Sequence, residues 1–332
     1  MVRLLGVLLL LSGLVLGGVW HTYQRFLEAP LDVPEQGLIF SVAKGATLRQ
    51  VARQLEQQGV LKQPDYLFWH ARWTQQAHRI RAGEFALLPG TRPDGLLALL
   101  ISGPTVQHTL TLLEGWNFRQ VMQAVRDNPI LQQQLVDQDD QQIMQTLGFA
   151  GVHPEGRFFP DTYAFPRGTT DIEFLRRAYL KMEQQLTEAW QSRNRDTTVI
   201  DSPEQALILA SIIEKETGLA SERPAIAGVF SRRLRLGMKL QTDPTVIYGM
   251  GERYQGNIRR ADLREDTPYN TYVHKGLPPT PICMPGREAL DAALNPADGQ
   301  ALYFVARGDG SHQFSATLKQ HNAAVRKYQL KK

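Results

Sequence analysis

The sequence predicts an α+β protein that begins with a single apolar helix. Three observations carry that prediction. One apolar run opens the 332-residue chain, and nothing like it recurs. Short strand-like stretches then alternate with helices that start on polar caps after glycine turns. From Gly156 onward, longer amphipathic helices are separated by loops rich in Pro, Gly and Tyr. With 42% hydrophobic residues and 37 Lys plus Arg against 33 Asp plus Glu, a net charge of +4, the chain is not a disordered one. A mean hydropathy of −0.30 excludes a polytopic membrane protein. The basic balance is weak and dispersed, which argues against nucleic acid as a partner. The single Cys283 cannot form an internal disulfide and leaves the redox compartment open.

Leu4 to Trp20 carries no charge and is about as long as the shortest helices that cross a hydrocarbon core. A cleaved signal peptide would need a basic start and a small-x-small cleavage site. Arg3 is the only early basic side chain, no Ala-x-Ala site follows, and Trp20 and Tyr23 suit a membrane interface. A signal-anchor is therefore favoured over a cleaved signal. Residues 1–20 form the cytoplasmic tip and transmembrane anchor, and the bulk of the chain lies outside the cytoplasm. Residues 21–37, with Pro30 and Pro34, read as an extended linker.

Phe40-Ser41-Val42 reads as a strand. It leads through Gly45 to a helix capped by Thr47 with Gln50 in a capping box, and Gly59 stops that helix. Phe85 to Leu88, the turn Pro89-Gly90 and a helix over Gly95–Ile101 complete a small α+β module at 38–107. Gly45, Thr47, Leu48, Arg49, Gln50 and Val51 align with Gly115, Asn117, Phe118, Arg119, Gln120 and Val121. A duplicated module and a common strand–turn–helix grammar explain this equally well. Residues 108–154 form a connecting α/β segment with helices, and 155–332 form the larger domain. In that domain Ile172, Leu175, Tyr179, Met182, Leu186 and Trp190 make one core stripe. Helices follow over Pro203–Thr217 and Glu222–Leu236. Leu240 to Gly249 reads as a loop stiffened by Pro244. Helix Arg287–Leu294, a hairpin of Tyr303–Ala306 with His312–Ser315, and a C-terminal helix close the chain.

The chain lacks H-E-x-x-H and C-x-x-C, and its histidines show no metal-ligand spacing. It also lacks a G-x-S-x-G elbow, a G-x-G-x-x-G turn and a P-loop. No metal and no cofactor is expected. One helix carries a positive signal. Ser202 caps it, Pro203 opens it and Gln205 at its third position completes an expected capping box. On a wheel of about 100° per residue with Leu209 at zero, its apolar face centres near 20°. Glu216 falls near 340°, almost on that centre, and Glu214 near 140°, at its edge. Desolvation and the negative end of the helix dipole would raise the pKa of a carboxyl at Glu216, as a general acid requires. The wheel alone favours a structural carboxylate, paired with a buried Lys or Arg or frayed into solvent.

These stretches together resemble the YceG-like family of endolytic murein (peptidoglycan) transglycosylases. The matching residues are Glu155-Gly156, Phe159 to Tyr163, Ala210 to Thr217, Leu240 to Gly249, Tyr269 to Tyr272, Gly276 to Pro279 and Pro281-Ile282. Pro285-Gly286, Tyr303 to Ala306 and Gly310 with His312 and Phe314 continue the likeness, which covers nearly the whole chain in order. The module at 38–107 resembles LysM in its strand, glycine turn and capped helix, although the usual aspartate after the glycine is absent. The resemblance implies that the second Glu of Glu214-Lys215-Glu216 is catalytic, and this reverses the structural reading of Glu216. It makes Glu214, Gln241, Asp243, Asn270 and Tyr272 candidates for a glycan cleft. It implies a bacterial cell-wall lyase, anchored as a single-pass protein in the cell inner membrane with its catalytic domain in the periplasm. Its expected partners are peptidoglycan glycan strands and peptidoglycan synthases. The rival expectation is a membrane-anchored wall-binding scaffold that recruits synthases without cutting.

Overall fold

The computed structural model describes residues 2–330. Its contacts divide the chain into two units. Unit 1 takes the chain up to His108 together with Ala164–Gly168, and unit 2 takes Thr109–Tyr163 together with Thr169 onward.

Unit 1 opens with helix α1, Val2–Glu28. The expected anchor Leu4–Trp20 lies in this helix; the side chains of residues 2–5 and 7–9 lie outside the described residues. Among the described residues no helix is long and apolar enough to cross a membrane. Residues 21–28, expected to be extended, are helical instead. The first proline is Pro30, so nothing before it interrupts the backbone hydrogen bonds, and the Ala29 N–H still bonds the Arg25 carbonyl at 3.0 Å. The last turns of α1 are also packed. Phe26 and Leu31 are buried in the core of unit 1. The Phe26 ring meets Tyr66 edge-on at 5.6 Å, and the Tyr23 hydroxyl bonds His70 Nδ1 at 2.6 Å. Burial of apolar rings overrides the linker-like composition.

After α1 the order is strand β1 (Leu38–Val42), α2 (Leu48–Gln57), α3 (Pro64–Trp73), β2 (Gly83–Leu87) and α4 (Pro93–Ser102). β1 and β2 pair antiparallel, with Phe40 opposite Phe85 and Leu38 opposite Leu87. Phe40, Val42, Phe85 and Leu87 all face the core. Thr47 and Gln50 close the expected capping box, with the Thr47 N–H donating to Gln50 Oε1 at 2.8 Å. Leu48, Val51, Ala52 and Leu55 then pack inward.

Unit 2 begins within β3 (His108–Thr111) and repeats the local grammar at α5 (Phe118–Arg126). There Asn117 and Gln120 form a second capping box behind Gly115, whose φ of +76° matches the +80° of Gly45. α6 (Asp140–Thr146) and β4 (Thr162–Phe165) follow. Within unit 2 the Leu112 N–H bonds the Asp161 carbonyl at 3.0 Å. Next come α7 (Asp171–Gln191), α8 (Pro203–Glu216), α9 (Arg223–Arg235), α10 (Asp243–Met250) and α11 (Arg287–Leu294). The antiparallel hairpin β5 (Tyr303–Ala306) with β6 (His312–Ser315) and α12 (Leu318–Tyr328) end the described chain. α8 sits at the centre of this unit and packs against α7, α9 and α11.

One expectation is corrected here: Leu240–Gly249 is largely the helix α10. Pro244 lies in its first turn, where the missing N–H costs nothing, and Asp243 is placed to favour the helix N-terminus.

Replacing Phe26 with Ala is expected to destabilise unit 1 by about 3 kcal/mol, the usual cost of emptying a buried ring site. Faster amide hydrogen exchange in β1 and β2 of the full chain would show it. Unchanged exchange would mean that the end of α1 is not part of this core.

Candidate functional site

The Ser202 hydroxyl accepts the Gln205 N–H at 3.2 Å and starts α8, but the expected capping box does not close: the Gln205 side chain accepts the Asp201 N–H at 3.0 Å instead of that of Ser202. Every residue from Ala206 to Ile213 is buried, so the helix is apolar on all sides rather than along one stripe. The single buried face assumed by the wheel does not exist, and tertiary contacts decide where the last turn points its charges.

The charges at that turn go three ways. Glu214 has a side chain only 6% exposed. It accepts Arg223 Nη2 at 3.2 Å and the Gly286 N–H at 2.9 Å. Arg223, itself buried, also pairs with Glu288 and lies 3.7 Å from Glu114. Lys215 is exposed and donates to the Gly115 carbonyl at 3.3 Å.

Glu216 takes neither kind of partner. Thr242 Oγ1 donates to its Oε1, and among the described residues no Lys, Arg or His forms an ion pair with it. Part of the side chain meets solvent while protein closely surrounds the carboxylate. Its pKa is pushed up to about 7, chiefly by desolvation and further by the charge of Asp243. The Thr242 hydrogen bond and the positive fields of His312 and Arg233 pull the other way.

Thr242 is positioned by the backbone around it. Gln241 immediately before it adopts a φ of +53°, uncommon for a residue with a side chain. The Gln241 N–H bonds the Thr271 carbonyl at 3.2 Å, and the Thr242 N–H bonds Thr271 Oγ1 at 3.1 Å. Thr245 Oγ1 donates to the Thr242 carbonyl at 2.8 Å and lies 2.9 Å from Thr271 Oγ1. This buried threonine cluster aims one hydroxyl at Glu216. Arg233 braces the approach by donating to the Leu240 carbonyl at 2.7 Å.

The other expected site residues divide. Asp243 is exposed beside Glu216 and accepts the Tyr272 hydroxyl at 2.6 Å. Burial and that carboxylate raise the Tyr272 pKa, so the phenol keeps its proton. Gln241 is exposed at the same turn. Asn270 is 1% exposed, and its polar atoms are engaged. Its Nδ2 donates to the Asp262 and Glu265 carbonyls, and its Oδ1 accepts the Tyr272 N–H at 2.9 Å. Asp243 and Tyr272 thus lie near Glu216, and Gln241 directly precedes the Thr242 that bonds it. Glu214 and Asn270 spend their polar atoms holding the surrounding chain.

The YceG-like family model matches residues 40–327. The chain belongs to the YceG-like family. It is 31% identical to the endolytic murein transglycosylase of Bacillus subtilis (strain 168), over 95% of this chain and 91% of that protein. It is 27% identical to the protein of that description from Streptococcus pneumoniae serotype 2 (strain D39), over 90% of this chain but 60% of the longer relative. A crystal structure of a YceG-like protein from Listeria monocytogenes superposes with a TM-score of 0.54 at 28% identity, covering 87% of this chain and 99% of that one.

This YceG-like chain holds a second raised carboxyl that the wheel did not find. Glu155 is 3% exposed, accepts the Phe118 N–H at 3.1 Å and the Tyr248 hydroxyl at 3.0 Å, and is pushed up to about 7 by burial. It lines a cavity of about 560 Å³ with Arg126, Lys215, Tyr248 and Tyr269; Glu216 does not line it. The two carboxyls differ in their surroundings: among the described residues Glu216 has no ion-pair partner and bonds the Thr242 hydroxyl, whereas Glu155 is closed in by the Phe118 N–H and the Tyr248 hydroxyl. No periodicity marks Glu155, which precedes Gly156 in a turn.

Two outcomes test this geometry. The folded chain holds the Glu216 proton from the ordinary carboxylate value of 4.5 up to about 7, where the unfolded chain has released it. Its contribution to stability therefore falls as pH rises through that window. Thr242→Val removes a bond that favours the charged form, so the Glu216 titration moves further upward. Carbon NMR of the side-chain carboxyl, assigned with Glu216→Gln, reads the shift; a downward move would reverse the role of Thr242. Separately, Glu214→Ala removes the most buried of the carboxylates around Arg223, leaving that guanidinium only the exposed Glu288 and Glu114, and strips the Gly286 N–H of its acceptor; it is expected to cost about 3 kcal/mol. Denaturant unfolding measures that loss, and an unchanged midpoint would show that the pair does not hold α8 to α9 and α11.

Proposed function

We propose that the protein is a membrane-anchored endolytic transglycosylase of peptidoglycan. It cuts the MurNAc–GlcNAc β-1,4 bond, with Glu216 as general acid and then general base. The observation that carries this reading is a helix-terminal carboxyl without an ion-pair partner among the described residues, desolvated, pushed up to about 7 and bonded to a hydroxyl. A group that titrates near neutrality can both give and accept a proton under working conditions. The names of the Bacillus and pneumococcal relatives support the substrate and the reaction.

Protonated Glu216 donates to the glycosidic oxygen as the C1–O bond breaks. The carboxylate left behind takes the proton of the MurNAc C6 hydroxyl, whose oxygen bonds to C1. The products are a 1,6-anhydroMurNAc end and a GlcNAc end with a free 4-hydroxyl, and no water is consumed. A retaining or inverting hydrolase would use a second carboxylate as nucleophile or base. Here the attacking oxygen belongs to the substrate, so one carboxyl serves both steps. Asp243 holds up the Glu216 pKa, and Thr242 keeps the carboxyl oriented. Gln241, Asp243 and Tyr272 offer polar and aromatic contacts to the strand, and Glu214 and Asn270 position the elements that carry them.

Supporting the finer parts are the uncharged run Leu4–Trp20 for a single inner-membrane anchor and the capped helix after Gly45 for a LysM-like module at 38–107. In this reading residues 155–332 are the catalytic domain in the periplasm. Its partners are nascent glycan strands and the synthases that make them.

Glu216→Gln is expected to lower strand cleavage by at least about a hundredfold, the range for removing a general acid–base, while the circular dichroism spectrum is unchanged. Mass spectrometry of digested peptidoglycan reads the ends. Reducing ends in place of anhydro ends would identify a hydrolase, and full cleavage by the variant would move the chemistry away from Glu216.

A further inference from the structure

α3 carries two tryptophans on its outer face. Leu67 and Ala71 point into the core of unit 1, while Trp69 and Trp73, one turn apart, are 57% and 73% exposed. Large aromatic side chains left in the open mark a contact surface more often than a random one. These two are not isolated. Trp73 meets Trp20 of α1 edge-on with ring centroids 6.5 Å apart, and Trp20 is itself exposed. From Trp20 the exposed apolar surface continues along α1 through Val19, Leu16, Val15, Leu14, Leu11 and Leu10. The Tyr23–His70 hydrogen bond and the buried Phe26 hold α1 and α3 together, so the aromatic patch begins where the apolar helix surface ends.

The chain along the patch carries charge of one sign, with Asp65 at the start of α3 and Asp94, whose charge reaches His70, at its edges. No Asp or Glu occurs between Asp65 and Glu84, a stretch that contains Arg72, Arg79 and Arg81. The Arg49 guanidinium lies 4.4 Å over the Phe68 ring, and that of Arg72 lies 6.0 Å from the Trp69 ring. Tryptophans at the boundary of an apolar surface, with arginines beside them, match the headgroup layer of a bilayer: the rings sit at the apolar boundary and the cations meet anionic phosphates.

We infer that the outer face of α3, with Trp20, Trp69, Trp73, Arg49 and Arg72, seats unit 1 on an anionic lipid surface. This goes beyond an anchor. The anchor reading ties the chain to a membrane by one helix; this contact lays a folded unit against the headgroups in a defined orientation. It also assigns a role to the helical continuation of α1 past Trp20, which holds α3 at that depth instead of letting it drift on an extended linker.

The test uses the full chain reconstituted with vesicles of phosphatidylcholine, with and without phosphatidylglycerol. Flotation reads whether the protein binds the vesicles. Quenching of tryptophan fluorescence by lipids brominated near the headgroup end of the acyl chain reads where the rings lie. Wild type and Trp69→Phe/Trp73→Phe are both expected to float. The variant should lose the shallow-quenchable signal by about twofold or more, since only Trp20 of the interfacial set remains. Arg49→Glu/Arg72→Glu should float while its shallow quenching loses its dependence on phosphatidylglycerol. Proteins that float with identical quenching in wild type and the tryptophan variant would overturn this contact and leave the anchor standing. Failure of wild type to float would overturn both. Loss of binding to sedimented glycan strands by the tryptophan variant, without any lipid quenching of wild type, would assign the surface to the wall and also overturn the inference.

Discussion

A helix buried around its whole circumference has no solvent face on which to leave a carboxylate. α8 is such a helix, and it ends in Glu214-Lys215-Glu216. Each charge needs its own solution, and the rest of unit 2 supplies them. Glu214 is neutralised by Arg223 and by the Gly286 N–H, which ties α8 to α9 and to the start of α11. Lys215 escapes to the surface. Glu216 receives a neutral hydroxyl instead of a paired cation, so desolvation outweighs that hydrogen bond and the more distant His312 and Arg233. Two glutamates in one turn thus acquire opposite chemistry from their partners alone.

The neutral partner has to be placed with care, because a cation in its position would hold the carboxylate ionised. The strained Gln241 backbone, the buried Thr242–Thr245–Thr271 hydroxyls and the proline-led first turn of α10 fix it together. Backbone strain at a residue next to a reactive group is retained when the surrounding hydrogen bonds over-determine it. In unit 1 the same economy appears in another form. A segment that composition assigns to a loose linker is made rigid by Phe26 and Leu31 entering a core.

Helix starts were the most legible features. The Thr47 box and the Asn117 and Ser202 caps rest on side chains within a few residues of the bonds they make, and they form, whereas the box expected at Ser202 does not, because the Gln205 side chain turns to the Asp201 N–H. The hairpin Tyr303–Ala306 with His312–Ser315 was equally local. α10 was missed although Thr242-Asp243-Pro244 carries the same kind of start as Ser202-Pro203; a Pro-rich neighbourhood hid it. Glu155 was missed for a different reason. Its burial comes from Phe118 and Tyr248, far away in the chain, and no spacing encodes that.

The sequence by itself determined the α+β alternation, the apolar start, the caps and the family, because each rests on local propensity or on many matched residues at once. It also singled out Glu216, but through a wheel whose one-faced geometry α8 does not have. Tertiary structure decided which glutamate is paired and which is not, and that the polar atoms of Asn270 and Glu214 are engaged within the protein. It also decided that the end of α1 belongs to unit 1. The physical reason is the same in each case. A side chain's partner, and hence its charge state, depends on groups that only folding brings within hydrogen-bond distance.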